Sequence, residues 1–283
     1  DADLPEYALA IDRYGTEHGD WLHVQEYEAP ASVDPAKARA RLRAALATIP
    51  EALGVAPERM VFKVRRRQKG RDQYDRQGAR AREIEIREGP CRLRVNLTEY
   101  LDTGVFLDHR PVRFCIGEHA RGRSFLNLFC YTGAATVHAA VGGARSTTSV
   151  DLSRTYLDWL RDNLQLNGLE GGPHRAIRAD VLTWLSECTQ RFDLIFLDPP
   201  SFSNSKRMDD TLDIQRDHPG LVRDAMRVLA PGGTLVFSNN LRSFRMDDVL
   251  FEEFEIEDRT RWSIPKDFER NQRIHGCWFI RER

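Results

Sequence analysis

Residues 194–208 read LIFLDPPSFSNSKRM. Four apolar residues run into an acid, two prolines and an aromatic, and then into polar and basic residues. A short apolar run closed by prolines reads as a buried strand that ends abruptly. In α/β sheets the space beyond such ends is where ligands bind. Asp198, Pro199, Pro200 and Phe202 are therefore the first candidate catalytic residues.

The flanking sequence repeats the pattern. Strands are expected over 124–129, 146–150, 174–179, 192–197 and 233–238. Helices are expected over 134–140, 154–167, 181–188 and 219–229 between them. Five parallel strands with short crossovers make a doubly wound, Rossmann-like α/β domain. Residues 251–262 and 274–281 read as a final antiparallel pair. Upstream, 7–12 and 21–27 alternate apolar and polar residues around glycine turns and read as a hairpin. Asp34 and Pro35 open a helix that runs to Pro50, and 60–64, 83–87 and 91–97 are further strands. These elements make a small α+β accessory domain over 1–97, followed by the α/β domain over 98–283. Residues 99–113, EYLDTGVFLDHRPVR, carry too much Gly, Asp and Pro for a regular element. There Asp108 and Arg110 either pair with each other or face a zwitterionic ligand.

Hydrophobic content of 41% against 30% charged residues describes a soluble globular chain. No apolar run approaches the roughly 18 residues of a membrane span, and the N-terminal stretch lacks a basic region followed by an apolar one. A cytoplasmic protein without a membrane partner is expected. Cys91, Cys115, Cys130, Cys188 and Cys277 show no C-x-x-C and no zinc spacing, so reduced thiols and no metal are expected. His109, His218 and His275 read as structural. The net charge of −1 conceals segregation: residues 61–82 hold nine Lys or Arg against two Asp. Arg65, Arg66, Arg67, Lys69 and Arg71, with Tyr74 to stack, form an electrostatic footprint for RNA phosphate. The bland alternative is a solvated loop.

The first strand of the α/β domain ends in NLFCYTGAAT, where Gly133 stands without the partner glycines of G-x-G-x-x-G. A nicotinamide dinucleotide is thus disfavoured. Asp151 closes the second strand, placed for ribose hydroxyls or for capping a helix. Asp180 closes the third, placed for an adenine amino group or likewise as a cap. Three acids at neighbouring strand ends repel unless a ligand uses them. A nucleoside that lacks phosphates and carries a cation suits that rim, and S-adenosyl-L-methionine (SAM) is such a ligand.

NLFCYTG, VDLSRTYLDWLRDNLQLNG, ADVLTWL and LDPPSF together resemble the class I SAM-dependent methyltransferases. More narrowly, EYLDTGVFLDHR, DPPSFSNSKRM, FSNN and DFERNQRIHGCW are similar to the guanine-N7 half of the fused bacterial 23S rRNA methyltransferases. The similarity covers almost the whole chain. It implies that Asn127, Phe129, Tyr131, Thr132 and Gly133 line the methionine of SAM, that Asp151 binds its ribose, and that Asp180 and Val181 hold its adenine. Thr103, Gly104, Asp108 and Arg110 would close over the cofactor, and Asp198, Pro199, Pro200 and Phe202 would meet the base. It also implies 23S rRNA as substrate and an upstream partner half with an RNA-binding THUMP region and a guanine-N2 methyltransferase.

The chemistry agrees with that resemblance. Consecutive prolines hold the Asp198 and Pro199 carbonyls rigid, and Phe202 can stack on an unstacked base. Methylation at pyrimidine C5 needs a cysteine nucleophile, and neither DPPSF nor FSNN contains one. Cys130 is the nearest thiol. Guanine N7 offers its lone pair without a general base, and a carboxylate at Asp198 can face the cationic ring that forms. Asn204, Lys206 and Arg207 are either substrate contacts or an exposed loop. An exocyclic-amine RNA methyltransferase, a non-catalytic RNA-binding module and, more weakly, a nicotinamide dehydrogenase are the alternatives.

Overall fold

The computed structural model describes residues 6–27, 33–65, 83–100, 102–203 and 212–283. Two units divide the chain, Asp1–Glu88 with Arg92–Val105, and Gly89–Cys91 with Phe106–Arg283. Among the described residues no helix is long and apolar enough to cross a membrane.

In the first unit β1 (Leu9–Tyr14) and β2 (Trp21–Tyr27) form an antiparallel hairpin, α1 (Pro35–Leu53) follows, and β3 (Met60–Arg65) returns parallel to β2. Asp34 caps α1 by accepting from the Ala36 amide at 2.7 Å, with Pro35 in the first turn. The helix does not stop at Pro50 but runs on to a left-handed Gly54. A proline so near the end forfeits one hydrogen bond, which the burial of Ile49 and Pro50 offsets. Leu22, Val24, Ile49 and Val55 make the core between sheet and helix. A separate pair, β4 (Glu83–Glu88) and β5 (Cys91–Asn96), follows.

The segment 99–113, expected to lack regular structure, contains the start of α2 (Arg110–His119). Pro111 lies in its first turn, where a missing N–H costs nothing, and Val112, Cys115 and Ile116 are buried. Gly104 and Asp108, which suggested a loop, both precede the helix. Then come β6 (Ser124–Leu128), α3 (Ala134–Val141), β7 (Ser146–Asp151), α4 (Arg154–Leu166), β8 (His174–Arg178), α5 (Val181–Glu187) and β9 (Phe192–Leu197). A short pair, β10 (Phe202–Ser203) and β11 (Leu212–Asp213), leads to α6 (Ile214–Arg227) and β12 (Leu229–Asn239). The chain finishes with α7 (Asp248–Glu253), β13 (Glu255–Asp258), α8 (Thr260–Ser263) and β14 (Gly276–Arg281).

Seven strands form one sheet in the order β13-β14-β12-β9-β6-β7-β8. The five strands from β12 to β8 are parallel, while β14 is antiparallel to both β12 and β13. The expected last pair is thus present but shorter, because α7 and α8 take up the flanks of 251–262. Helix α6 begins five residues before the expected 219. Asp213 caps it by accepting from Gln215 N at 3.0 Å, and Pro219 sits inside. The carbonyl that Pro219 leaves without its usual amide donor belongs to Gln215, and His218 Nδ1 lies 3.0 Å from it. The Asp247 amide donates to His218 Nε2 at 3.0 Å, so Nδ1 carries the proton and donates to Gln215.

Both sheet faces are covered. Ile195 and Leu197 of β9 pack with α5 and α6 residues such as Leu185 and Leu221. Leu194 and Phe196 pack with Ile116 of α2 and Ala139 of α3. Helices α2 and α3 meet at glycines: a methyl on Gly142 would run into the Gly117 carbonyl oxygen. Gly142→Ala is expected to lower stability by about 1–3 kcal/mol through overpacking, read from the urea midpoint. An unchanged midpoint would show that the helices separate freely.

Candidate cofactor and substrate site

The loop after β6 is built against its own backbone preferences. Phe129 and Tyr131 adopt positive φ, 57° and 52°, before Gly133 at 75°. Bulky residues rarely occupy this region, and the surroundings must hold them there. The Tyr131 amide donates to Asp151 Oδ2 at 3.0 Å, and the Gly133 amide donates to the Cys130 carbonyl at 2.9 Å. Asn163 Nδ2 donates to the Thr132 carbonyl at 3.0 Å. The Tyr131 ring lies between Phe106 and Tyr156, with centroids 5.2 and 4.5 Å away. At Gly133 a Cβ would overlap the Leu160 side chain. Asn127 is buried and donates to Thr136 Oγ1 at 2.9 Å, while its Oδ1 has no hydrogen-bond partner among the described residues.

The three strand-end acids have different surroundings. Asp151 accepts from Tyr131 and, at 2.8 Å, from the Ser153 amide, yet burial still pushes its carboxyl up. Asp180 caps α5, accepting from the Thr183 amide at 3.0 Å and from its hydroxyl at 3.1 Å, with Val181 buried beside it. Asp198 follows the alternation of β9 onto the α2 face, where its side chain keeps 22% exposure. Burial pushes its carboxyl up too, against the opposing influence of His109 and His275 and a hydrogen bond from Ser238. Pro199 is buried, whereas Phe202 is 60% exposed.

Asp108 and Arg110 do not pair with each other. Asp108 Oδ2 meets His275 Nδ1 at 2.7 Å, and Arg110 donates to Asp267 at 2.6 Å. Each side chain is drawn to a nearer partner supplied by the segment that leads into β14. Thr103 and Gly104 belong to the first unit, where the buried Thr103 hydroxyl bonds Tyr14 Oη at 2.8 Å. Arg65 lies at the end of β3, its guanidinium 6.0 Å from the Tyr27 ring centre. Arg66, Arg67, Lys69, Arg71, Asn204, Lys206 and Arg207 fall outside the described residues.

Sequence reasoning missed His109, Ser238, His275 and Cys277 as neighbours of Asp198. The available signal was parity: Ser238 lies two residues beyond Val236 on the α2 face, and Cys277 is its partner across the ladder. Cys130 and Cys277 are buried, and burial drives both thiols up, away from the nucleophilic thiolate.

A family model described as S-adenosylmethionine-dependent methyltransferase matches residues 19–266. The chain belongs to this family. Relatives named ribosomal RNA large subunit methyltransferase K/L are 58% identical over 280 residues in Pseudomonas aeruginosa and 59% identical over 282 residues in Allochromatium vinosum. Each match takes in 99% of this chain, which spans 38% of the length of these curated relatives. Among solved structures, SMU.776 complexed with SAH superposes with a TM-score of 0.73 at 24% identity, covering 96% of this chain and 71% of that one. The SAM-dependent methyltransferase from Agrobacterium tumefaciens gives 0.63 at 18%, covering 97% and 90%. These likenesses show the class I Rossmann-like fold.

SAM is the cofactor of this methyltransferase family, and the strand ends fit it. The β6 loop makes a turn whose Gly133 leaves no room for a Cβ, the Asn127 oxygen has no partner among the described residues, and Asp151 keeps acceptor capacity beyond its backbone amide bonds. Gly133→Ala is expected to weaken SAM binding in calorimetry and to cost more than about 1 kcal/mol of stability, because the residue needs positive φ. Native affinity and stability in the variant would remove the loop from the cofactor site.

A carboxyl whose pKa is higher folded than unfolded is destabilising when ionised, and stability declines as pH rises from the unfolded to the folded value. Asp198→Asn should therefore raise the urea midpoint at neutral pH and flatten its fall above about pH 4. A variant less stable than the native chain at pH 7 would contradict this.

Proposed function

We propose that this chain transfers the methyl group of SAM to N7 of a guanine in 23S rRNA. The observation that carries the proposal is the identity of 57–59% to relatives named ribosomal RNA large subunit methyltransferase K/L, across essentially the whole chain. When bound, SAM supplies an electrophilic methyl on a sulfonium. The protein's share is positioning: Asn127 and the Phe129–Gly133 turn hold the methionine end, Asp151 the ribose, and Asp180 with Val181 the adenine. Asp198 and the rigid Pro199-Pro200 carbonyls face the base, and Phe202, largely exposed, stacks on it. Asp108 and Arg110, engaged with His275 and Asp267, serve the wall of the site.

Nitrogen is favoured over ring carbon as the methyl acceptor because the thiols near the strand ends are buried and protonated. The rival reading is methylation of an exocyclic amine, which must lose a proton. His109, 3.6 Å from Asp198, is the feature that favours it. The two separate chemically. RNA methylated by the full chain should break at the modified guanine after borohydride reduction and aniline treatment; methyl incorporation without breakage sinks the N7 reading. Asp198→Ala should lower methyl transfer by about 100-fold or more while SAM affinity stays within about threefold.

The RNA partner is also supported by α1, whose Lys37, Arg39, Arg41 and Arg43 have no acid partner among the described residues and no acidic residue in the first turn. Arg65 at the end of β3 adds a further cation to the first unit. Replacing Lys37, Arg39 and Arg43 with alanine should weaken RNA binding and reduce the slope of log affinity against log salt by about two. An unchanged slope would take α1 out of the RNA contact. An upstream half, implied by the resemblance and compatible with the greater length of the curated relatives, is the proposed partner for reaching the ribosomal precursor.

A further inference from the structure

Behind the candidate catalytic acid lies a buried set of groups that methyl transfer, as described so far, does not use. Ser238 hydrogen-bonds the Asp198 carboxylate and also contacts His109 Nε2 at 3.0 Å. A carboxylate only accepts, so the Ser238 hydroxyl donates to Asp198 and its oxygen accepts from His109 Nε2–H. The other ring nitrogen, Nδ1, faces Asp198 Oδ2 at 3.6 Å. Two acceptors cannot face each other in a buried site without repulsion unless a proton lies between them.

The His275 ring is packed edge-on to His109, with centroids 4.4 Å apart. His275 bonds Asp108 at 2.7 Å and Ser263 at 2.8 Å. The groups facing the pair are therefore Asp108 beside His109, Arg113 on α2, Ser238 on β12, and His275 and Cys277 at the start of β14.

We infer that His109 is a positioning residue that shares one proton with Asp198 through Nδ1, with the Asp108 carboxylate as the buried counter-charge. When the pair ionises, the Asp198 O–H bond breaks and an Nδ1–H bond forms on His109. No proton leaves the site. The carboxylate is left charged toward the base, still oriented by Ser238, and the imidazolium is balanced by Asp108. Two opposed tendencies bear on the pair: burial pushes the Asp198 carboxyl up and the His109 imidazole down. At Asp108 burial is outweighed by the His275 hydrogen bond and the neighbouring imidazoles, which hold its carboxyl at about 2 and keep it ionised.

The inference rests on Asp198 facing the base, and its test does not depend on which base that is. In the full chain without RNA, the Asp198 carboxyl carbon is followed by 13C NMR against pH, its signal assigned by its loss in Asp198→Asn. His109→Phe removes the nitrogen that takes the proton, so the Asp198 midpoint should rise by about one pH unit or more. His109→Gln keeps a donor for Ser238 and should show the same rise, which guards against a folding defect in the phenylalanine variant. An unchanged midpoint in both variants overturns the inference.

In single-turnover methyl transfer, His109→Gln should be slowed about tenfold, with its acid limb moved to higher pH and SAM affinity unchanged. Equal loss of SAM affinity would overturn the inference by making His109 a cofactor-site residue. Stoichiometric, chelator-removable zinc in the native chain would overturn it by making Asp108, His109 and His275 ligands. If the native chain methylates no guanine, the proposed function falls while the NMR result still decides the proton sharing.

Discussion

Burial of β9 on both faces is the constraint from which the second unit's placements follow. A strand in mid-sheet alternates its side chains between two cores, and here Ile195 and Leu197 go to one while Leu194 and Phe196 go to the other. The next residue in that alternation, Asp198, has to emerge on the α2 face. It is carried there before the strand has cleared the core, so its charge is paid in solvation. The Ser238 hydroxyl reaches the same spot by the same rule from β12, and the His109 ring comes to it from the turn before α2. Two prolines then stop the strand and prevent the acid from being drawn deeper.

The order of elements in the α/β unit was legible because strand and helix patterns alternate and three of the strands, β7, β8 and β9, lead into an acid. The site around those ends was legible only where its residues are local. Asp151, Asp180 and Asp198 could be named because each terminates its own strand. His275 could not be tied to Asp108, because 167 residues separate them and neither lies in a regular element whose period projects it toward the other. The onset of α2 was hidden by composition: Pro111 and the preceding Gly104 and Asp108 argue for a loop, although proline is well suited to a first turn. Helix α6 was misplaced for a related reason, since a proline expected at a helix start stands inside one.

The β6 loop and the acid pair use the same physical strategy by different means. In the loop, Phe129 and Tyr131 are held in a backbone region that costs on the order of 1–3 kcal/mol each. At β9, a carboxyl is held where its charge is poorly solvated. Both arrangements persist because the large two-faced core supplies a surplus of packing. Both also leave polar groups aimed at the strand ends without the mobility that would let them relax. A site prepared in this way spends little on reorganisation when its ligands arrive.

The imidazole of His218 stands in for a missing backbone amide. Because Pro219 has no N–H, the Gln215 carbonyl takes its hydrogen from the ring, and the ring's other nitrogen is taken by the Asp247 amide, which opens α7. Positions 218 and 219 are thus a co-dependent pair. Proline at 219 without histidine strands a carbonyl inside the helix, and histidine without proline competes with the restored amide for the same oxygen. Either change made alone should be tolerated less well than both together, an epistasis written into one turn of α6 and invisible to any reading that takes residues one at a time.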